Sequence, residues 1–146
     1  MKRERRNEHQ DELVQRITSI TTRLVPDDEG IELRFINQAT NLRMSKPSLG
    51  TISSIMKSLP FNGWTEIGTN LERKVLDEVV YNPLRNQTFK RPVLISIITD
   101  GNPQGPRHTP ETADTLKNAI LKCGMILKKH GYDPKGRVSF YVYAYF

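Results

Sequence analysis

The stretch Val93-Leu94-Ile95-Ser96-Ile97-Ile98-Thr99-Asp100-Gly101 decides the fold class. Five of its first six residues are apolar, Pro92 precedes it, and an Asp-Gly pair follows it, so the pattern predicts a strand over 93–98 ending in a turn. With apolar residues on both faces, it reads as a strand in the middle of a parallel sheet. It is also the longest apolar run in the chain, far short of the roughly 20 residues that a membrane-spanning helix needs.

On the carboxyl side, residues 101–109 are rich in Gly and Pro and read as a loop. Thr109, Pro110 and Glu111 read as an N-cap, a proline at the first helical position and an acid in the first turn. The helix they open carries Ala113, Leu116, Ile120, Met125 and Leu127 and ends at Gly131. Residues 137–146, rich in β-branched and aromatic side chains, predict a second strand. On the amino side, Leu71, Val75, Leu76, Val79 and Val80 predict a helix closed by Asn82-Pro83, with a polar linker over 84–91. Residues 64–70 read as a polar turn. Leu49, Ile52, Ile55, Met56 and Leu59 predict a helix after Pro47-Ser48, stopped by Pro60-Phe61-Asn62-Gly63. Ile31, Leu33 and Phe35 predict a strand over 31–37 with one face covered, followed by a loop over 38–46. Leu13, Val14, Ile17, Ile20, Thr21 and Leu24 predict a first helix over 8–24, ended by a turn at 26–30. Helices and strands alternate almost throughout, which argues for an α/β fold with a mostly parallel sheet.

The 146 residues suffice for one domain, and 36% hydrophobic with 26% charged residues is ordinary globular composition. The basic start, Met1 to Arg6, is followed by no apolar segment, so it is not read as a secretory signal. A single cysteine, Cys123, excludes an internal disulfide and a cysteine-based zinc cage. Its place between Ile120 and Leu127 predicts a small buried apolar group. The expected location is the cytoplasm. The net charge of +6 comes from 22 Lys and Arg against 16 Asp and Glu. The excess gathers at Lys117, Lys122, Lys128, Lys129, Lys135 and Arg137, against Asp133 alone. Cations late in a helix complement its negative end. Nucleic-acid binding through 117–137 is the rival reading, although no aromatic-laced RNA-binding motif accompanies it.

Open parallel sheets bind ligands at the carboxyl ends of their strands. Asp100 stands at that place, and a carboxylate there serves a ligand or simply closes the Asp-Gly turn. Gly63-Trp64-Thr65-Glu66-Ile67-Gly68-Thr69-Asn70-Leu71 together with Ile97-Ile98-Thr99-Asp100-Gly101 resembles the von Willebrand factor type A (VWA) domain. The resemblance covers most of the chain, from about Glu8 to Phe140. It implies a doubly wound α/β fold, a mostly parallel sheet with helices on both faces, and a metal-ion-dependent adhesion site at the top of the sheet. Thr65 matches the family's metal-site threonine, and Asp100 matches its aspartate in the Thr-Asp-Gly turn. The family's Asp-x-Ser-x-Ser loop occurs nowhere in this chain. What the resemblance implies is therefore a partial domain over 1–146, lacking its first strand and cut short at its last segment, with 1–7 disordered.

The resemblance further implies a non-enzymatic, protein-binding module. Mg²⁺ would be held by Thr65 and Asp100, weakly, because a hard cation wants about six oxygens. A carboxylate from a partner protein would complete the shell, with Trp64, Glu66, Asn102 and His108 on the partner-facing loops. Trp64 reads equally as a residue packing its loop, and His108 as a solvated side chain. Among enzymes, a metal-dependent hydrolase using Asp100, with His108 nearby, is the rival. No Gly-x-Ser-x-Gly elbow supports it, and Cys123 falls mid-helix. Gly131 to Val138 has the glycine spacing of a phosphate-binding loop, but Arg137-Val138 replaces the Lys-Ser/Thr that loop needs. Neither a membrane nor nucleic acid is the expected partner.

Overall fold

Ser48 sets the start of the first described helix. Its hydroxyl accepts the Thr51 N–H at 3.2 Å, which satisfies one of the donors a helix leaves open at its start. The computed structural model describes residues 8, 11, 12, 15, 16, 19, 31–39, 44–59, 62–99 and 101–144. The chain divides into two compact units, Met1–Gly63 and Trp64–Phe146.

In the first unit, α1 (Leu49–Ser58) buries Ile52, Ile55 and Met56 along one side, as its apolar spacing predicts. Of the helix expected over 8–24, the described residues 8, 11, 12, 15, 16 and 19 are helical; its apolar stripe lies outside the described residues. The strand expected over 31–37 does not form. That segment makes a single antiparallel bridge, Glu32 with Ser45. Leu33 N–H donates to the Met44 carbonyl and Lys46 N–H to the Ile31 carbonyl, each at 2.8 Å. An alternating apolar pattern becomes a strand only with a ladder to join, and here the partner is a few residues of the following loop. Gly63 (φ +102°) closes the unit in a conformation that favours glycine. A Cβ there would meet the Asn37 side chain at 2.7 Å.

The second unit opens with one unbroken helical rod: α2 (Ile67–Asn70), a π-helix (Leu71–Tyr81) and α3 (Asn82–Arg85). The rod starts four residues before Leu71, where the sequence reads as a polar turn. In the π-helix backbone bonds reach five residues back, as from the Asn82 N–H to the Asp77 carbonyl. The buried positions are accordingly Leu71, Leu76, Val80 and Tyr81, five and four apart, and the Val75 and Val79 expected on the inner face flank the core. The helix also runs past Asn82-Pro83, which the sequence places at its end. Pro83 stands in the first turn of α3 and, lacking an N–H, donates no bond back into the π-helix.

The sheet consists of β1 (Val93–Thr99) and β2 (Val138–Ala144), paired in parallel with Val93 opposite Val138 and Thr99 opposite Ala144. Between them run α4 (Ala113–Lys129) and the short α5 (Pro134–Arg137). This mixed helix-and-strand arrangement with a small parallel sheet is of the kind expected from the alternating pattern. α4 begins later than expected: its cap is Thr112, whose N–H donates to the Thr115 hydroxyl at 3.1 Å. Thr109, Pro110 and Glu111 stay in the loop. The end falls as expected. Gly131 (φ +82°) donates to the Lys128 carbonyl at 2.9 Å, and Tyr132 to the Leu127 carbonyl at 3.0 Å, the bond pair of a Schellman stop.

Leu71, Leu76, Val80 and Leu84 from the rod meet Ala119, Cys123 and Leu127 from α4, with Ile95 and Val138 from the strands. Leu76, Val80, Cys123 and Leu127 are fully buried, worth about 1.5–3 kcal/mol for each of the larger side chains. The linker over 84–91 is less polar in effect than in composition. Phe89 is buried against Tyr132, ring centroids 5.5 Å apart and planes at 85°. The expectation that β1 is buried on both faces is corrected. Ile95 and Thr99 are buried while Leu94 is 55% exposed, so β1 alternates and only one face enters the core.

Candidate functional site

The carboxyl end of β1 is where the sequence places its chemistry. Thr99, the last strand residue, is buried, and its hydroxyl both donates to the Gly101 carbonyl at 3.1 Å and accepts the Gly101 N–H at 3.3 Å. Both bonds join Thr99 to Gly101. Asp100 itself lies outside the described residues. Gly101 faces Thr65: a Cβ on it would sit 3.6 Å from Thr65 Oγ1 and 3.9 Å from Cγ2. Three residues on, the Gln104 N–H donates to the Thr65 carbonyl at 3.1 Å, an oxygen that also accepts the Ile67 N–H at 3.0 Å. Two stretches 36 residues apart in sequence, around Thr65 and around Gly101, are thus brought side by side.

The flanking residues are arranged as follows. Trp64 is 51% exposed. Glu66 is half-buried; its carbonyl accepts from the Asn70 backbone at 3.1 Å and from Asn70 Nδ2 at 2.8 Å. Asn102 and His108 are exposed, His108 within the turn at 107–109. Among the described residues no group of three or more His, Cys, Asp or Glu could hold a metal ion. Of the two residues expected to hold a metal, Thr65 is described and Asp100 lies outside the described residues.

Glu111 was not singled out by its sequence position. Only 6% exposed, it reaches the start of α2. Its Oε1 accepts the Gly68 N–H at 2.5 Å and the Thr69 N–H at 3.2 Å, and its Oε2 accepts the Thr69 hydroxyl at 2.6 Å. Open N–H groups and the positive end of the rod stabilise an anion there. Two glycines permit the approach. A Cβ on Gly68 would stand 2.5 Å from Leu116 N, and one on Gly105 would stand 2.9 Å from Glu111 N. Glycine at 68 and 105 is the trace left in the sequence, but the partners lie 42 and 43 residues away and no local pattern links them.

Away from this end, a groove of about 660 Å³ runs along the π-helix, lined by Glu72, Asp77, Tyr81, Arg85, Lys122 and His130 among others. Lys122 pairs with Glu72, and Arg85 with Asp77 at 3.0 Å. The Tyr81 hydroxyl is buried with no hydrogen-bond partner among the described residues. Burial first, then the Cys123 thiol and the carboxylates of Glu72 and Asp77, hold its pKa far above the usual phenol range. Burial likewise pushes the Cys123 thiol up to about 11, which makes it a poor nucleophile. In the basic segment, Lys122 is engaged with Glu72, while Lys128 and Lys129 occupy the last turn of α4, where they complement its dipole. No helix among the described residues is long and apolar enough to cross a membrane. No family model, no curated protein and no solved structure matches this chain.

Proposed function

We propose that the chain is a non-enzymatic, protein-binding module of the VWA kind, working in the cytoplasm, with a reduced cation site at the carboxyl end of β1. The observation that carries this is the approach of Gly101 to the Thr65 side chain, sealed by the Gln104 N–H on the Thr65 carbonyl. That the residue following Asp100 lies beside the Thr65 side chain supports the two serving one point. The parallel β1–α4–β2 unit is the crossover from which a doubly wound sheet is built. The exposed outer face, with Leu94 and Tyr141, has the apolar character that a second helix layer requires.

In this reading Thr65 offers a neutral oxygen and Asp100 a charged one. Mg²⁺ bound by so few protein oxygens keeps coordination positions open, and a carboxylate from a partner protein fills one. Trp64, at 51% exposure, supplies apolar contact area beside that point, while Glu66, Asn102 and His108 supply polar contacts around it. Binding of this sort breaks no bond.

The test is thermal melting of the full chain under Mg²⁺ titration, with EDTA as control, for the wild type and for Thr65→Ala and Asp100→Ala. A cation held only by the folded state adds about 1.4 kcal/mol of stability at ten times its Kd. The wild type should gain that increment and both variants should lose it. A wild-type melt indifferent to Mg²⁺ refutes the cation site.

A further inference from the structure

We infer that Glu111 is the positioning residue of this site: its carboxylate latches the loop 101–111 onto the start of α2 and thereby holds Thr65 against Gly101 and Gln104. The inference rests on the cation site proposed for Thr65 and Asp100.

The loop touches the segment 65–69 at both of its ends. At the front, Gly101 abuts the Thr65 side chain and the Gln104 N–H donates to the Thr65 carbonyl at 3.1 Å. At the rear, Glu111 takes the Gly68 N–H, the Thr69 N–H and the Thr69 hydroxyl. Only three residues separate Thr65 from Thr69, so fixing the rear fixes the front. The front contacts alone are one neutral hydrogen bond and one van der Waals approach, each worth little by itself. The rear contacts are charge-assisted, shielded from water and anchored to a helix terminus, which makes them the stronger part of the clasp.

The carboxylate is not itself a spare cation ligand. Both of its oxygens already face N–H or O–H donors, and no cationic side chain is paired with it among the described residues. Its charge is held by α2 and the hydroxyl of Thr69. Gly68 and Gly105 keep the passage open on either side, since a side chain at either would collide with backbone at 2.5 Å. Glu111 therefore acts through Thr65.

The experiment compares the full-length wild type with Glu111→Ala and Glu111→Gln by amide hydrogen exchange and by Mg²⁺ titration. The titration is read from the fluorescence of Trp64, the chain's single tryptophan and the neighbour of Thr65. The glutamine variant keeps the shape and an acceptor but not the charge, and serves in place of the alanine variant if that one does not fold. Exchange at Gly68 and Thr69 should rise about tenfold or more, as for a lost charge-assisted bond. Exchange at Gln104 should rise with them while Leu127 in the core stays protected, and Mg²⁺ affinity should fall about tenfold. Fast exchange at Gly68 and Thr69 with Gln104 at its wild-type rate overturns the inference. So does an equal rise at Leu127, which marks Glu111 as a general stabiliser only. If the wild type itself shows no Mg²⁺ response, the cation site falls, and the Gln104 exchange still decides whether Glu111 sets the loop.

Discussion

Gly68→Ala adds one methyl-sized atom where two helices meet backbone to backbone. The new Cβ would stand 2.5 Å from Leu116 N, 2.6 Å from Thr115 C and 2.8 Å from Leu116 Cα, whereas ordinary contact begins at 3.4 Å. Neither obstacle is a side-chain tip that can swing aside, so α2 and the first turn of α4 must part by roughly 0.9 Å. Overpacking of this kind costs about 1–3 kcal/mol. The displacement also pulls the Gly68 N–H from the buried Glu111 carboxylate, a charge-assisted bond worth about 1.5–3 kcal/mol when intact. Against these stands the better helix propensity of alanine, at most about 1 kcal/mol. The net loss is about 2–4 kcal/mol, or roughly 10 °C in melting temperature for a chain of this length. Gly124→Ala is the internal control. In mid-α4 its Cβ would meet Pro134 at 3.9 Å, an ordinary contact, so only the propensity remains and the variant should gain about 0.5–1 kcal/mol. Urea unfolding measures both. A Gly68→Ala protein within about 0.5 kcal/mol of the wild type would refute the close approach of the two helices, because overpacking alone should exceed that.

Two further outcomes follow from the core. Tyr81→Phe removes a buried hydroxyl that has no partner among the described residues, so the variant should be as stable as the wild type or gain about 1 kcal/mol; a loss of more than 1 kcal/mol by urea unfolding would show that the hydroxyl is satisfied. The Cys123 thiol keeps its proton up to about pH 11 in the folded chain against 9.0 when unperturbed. The unfolded chain therefore loses that proton first, and stability falls as pH rises from 9 towards 11, by roughly 1–3 kcal/mol. Cys123→Ala should flatten that slope in melts run across the range, and an unchanged slope would assign it to other groups.

Much of the fold is legible in single segments. The apolar run at 93–98, the stripe from Leu49 to Leu59 and the stop at Gly131 each carry their signal within a dozen residues, and each element forms where that signal lies. What escapes is set by distance or by winding. The pattern at Ile31, Leu33 and Phe35 is strand-like, yet a strand needs a neighbour, and the partner at Ser45 offers one bridge. Val75 and Val79 look internal at α-helical spacing, and only five-residue bonding moves the seam to Leu76 and Tyr81. Of the proposed site, Thr65 and the Thr99-Asp100-Gly101 stretch carry motifs visible in the sequence. Glu111 could not, because an acid after a proline ordinarily belongs to the helix that follows, and here it serves one more than 40 residues earlier.

The outer face of the small sheet has a colloidal consequence. Leu94, Tyr141 and Tyr143 expose between 38% and 55% of their surface on parallel strands, and such strands are ordinarily covered on both sides. Two molecules that meet there gain by excluding water, and their strand edges can extend the contact. The net charge of +6 opposes the encounter, but only over the screening distance of the buffer, about 30 Å at 0.01 M salt and 10 Å at 0.1 M. Raising the salt thus removes the barrier and leaves the attraction, so the chain stays dispersed best in dilute buffers kept well below its isoelectric point.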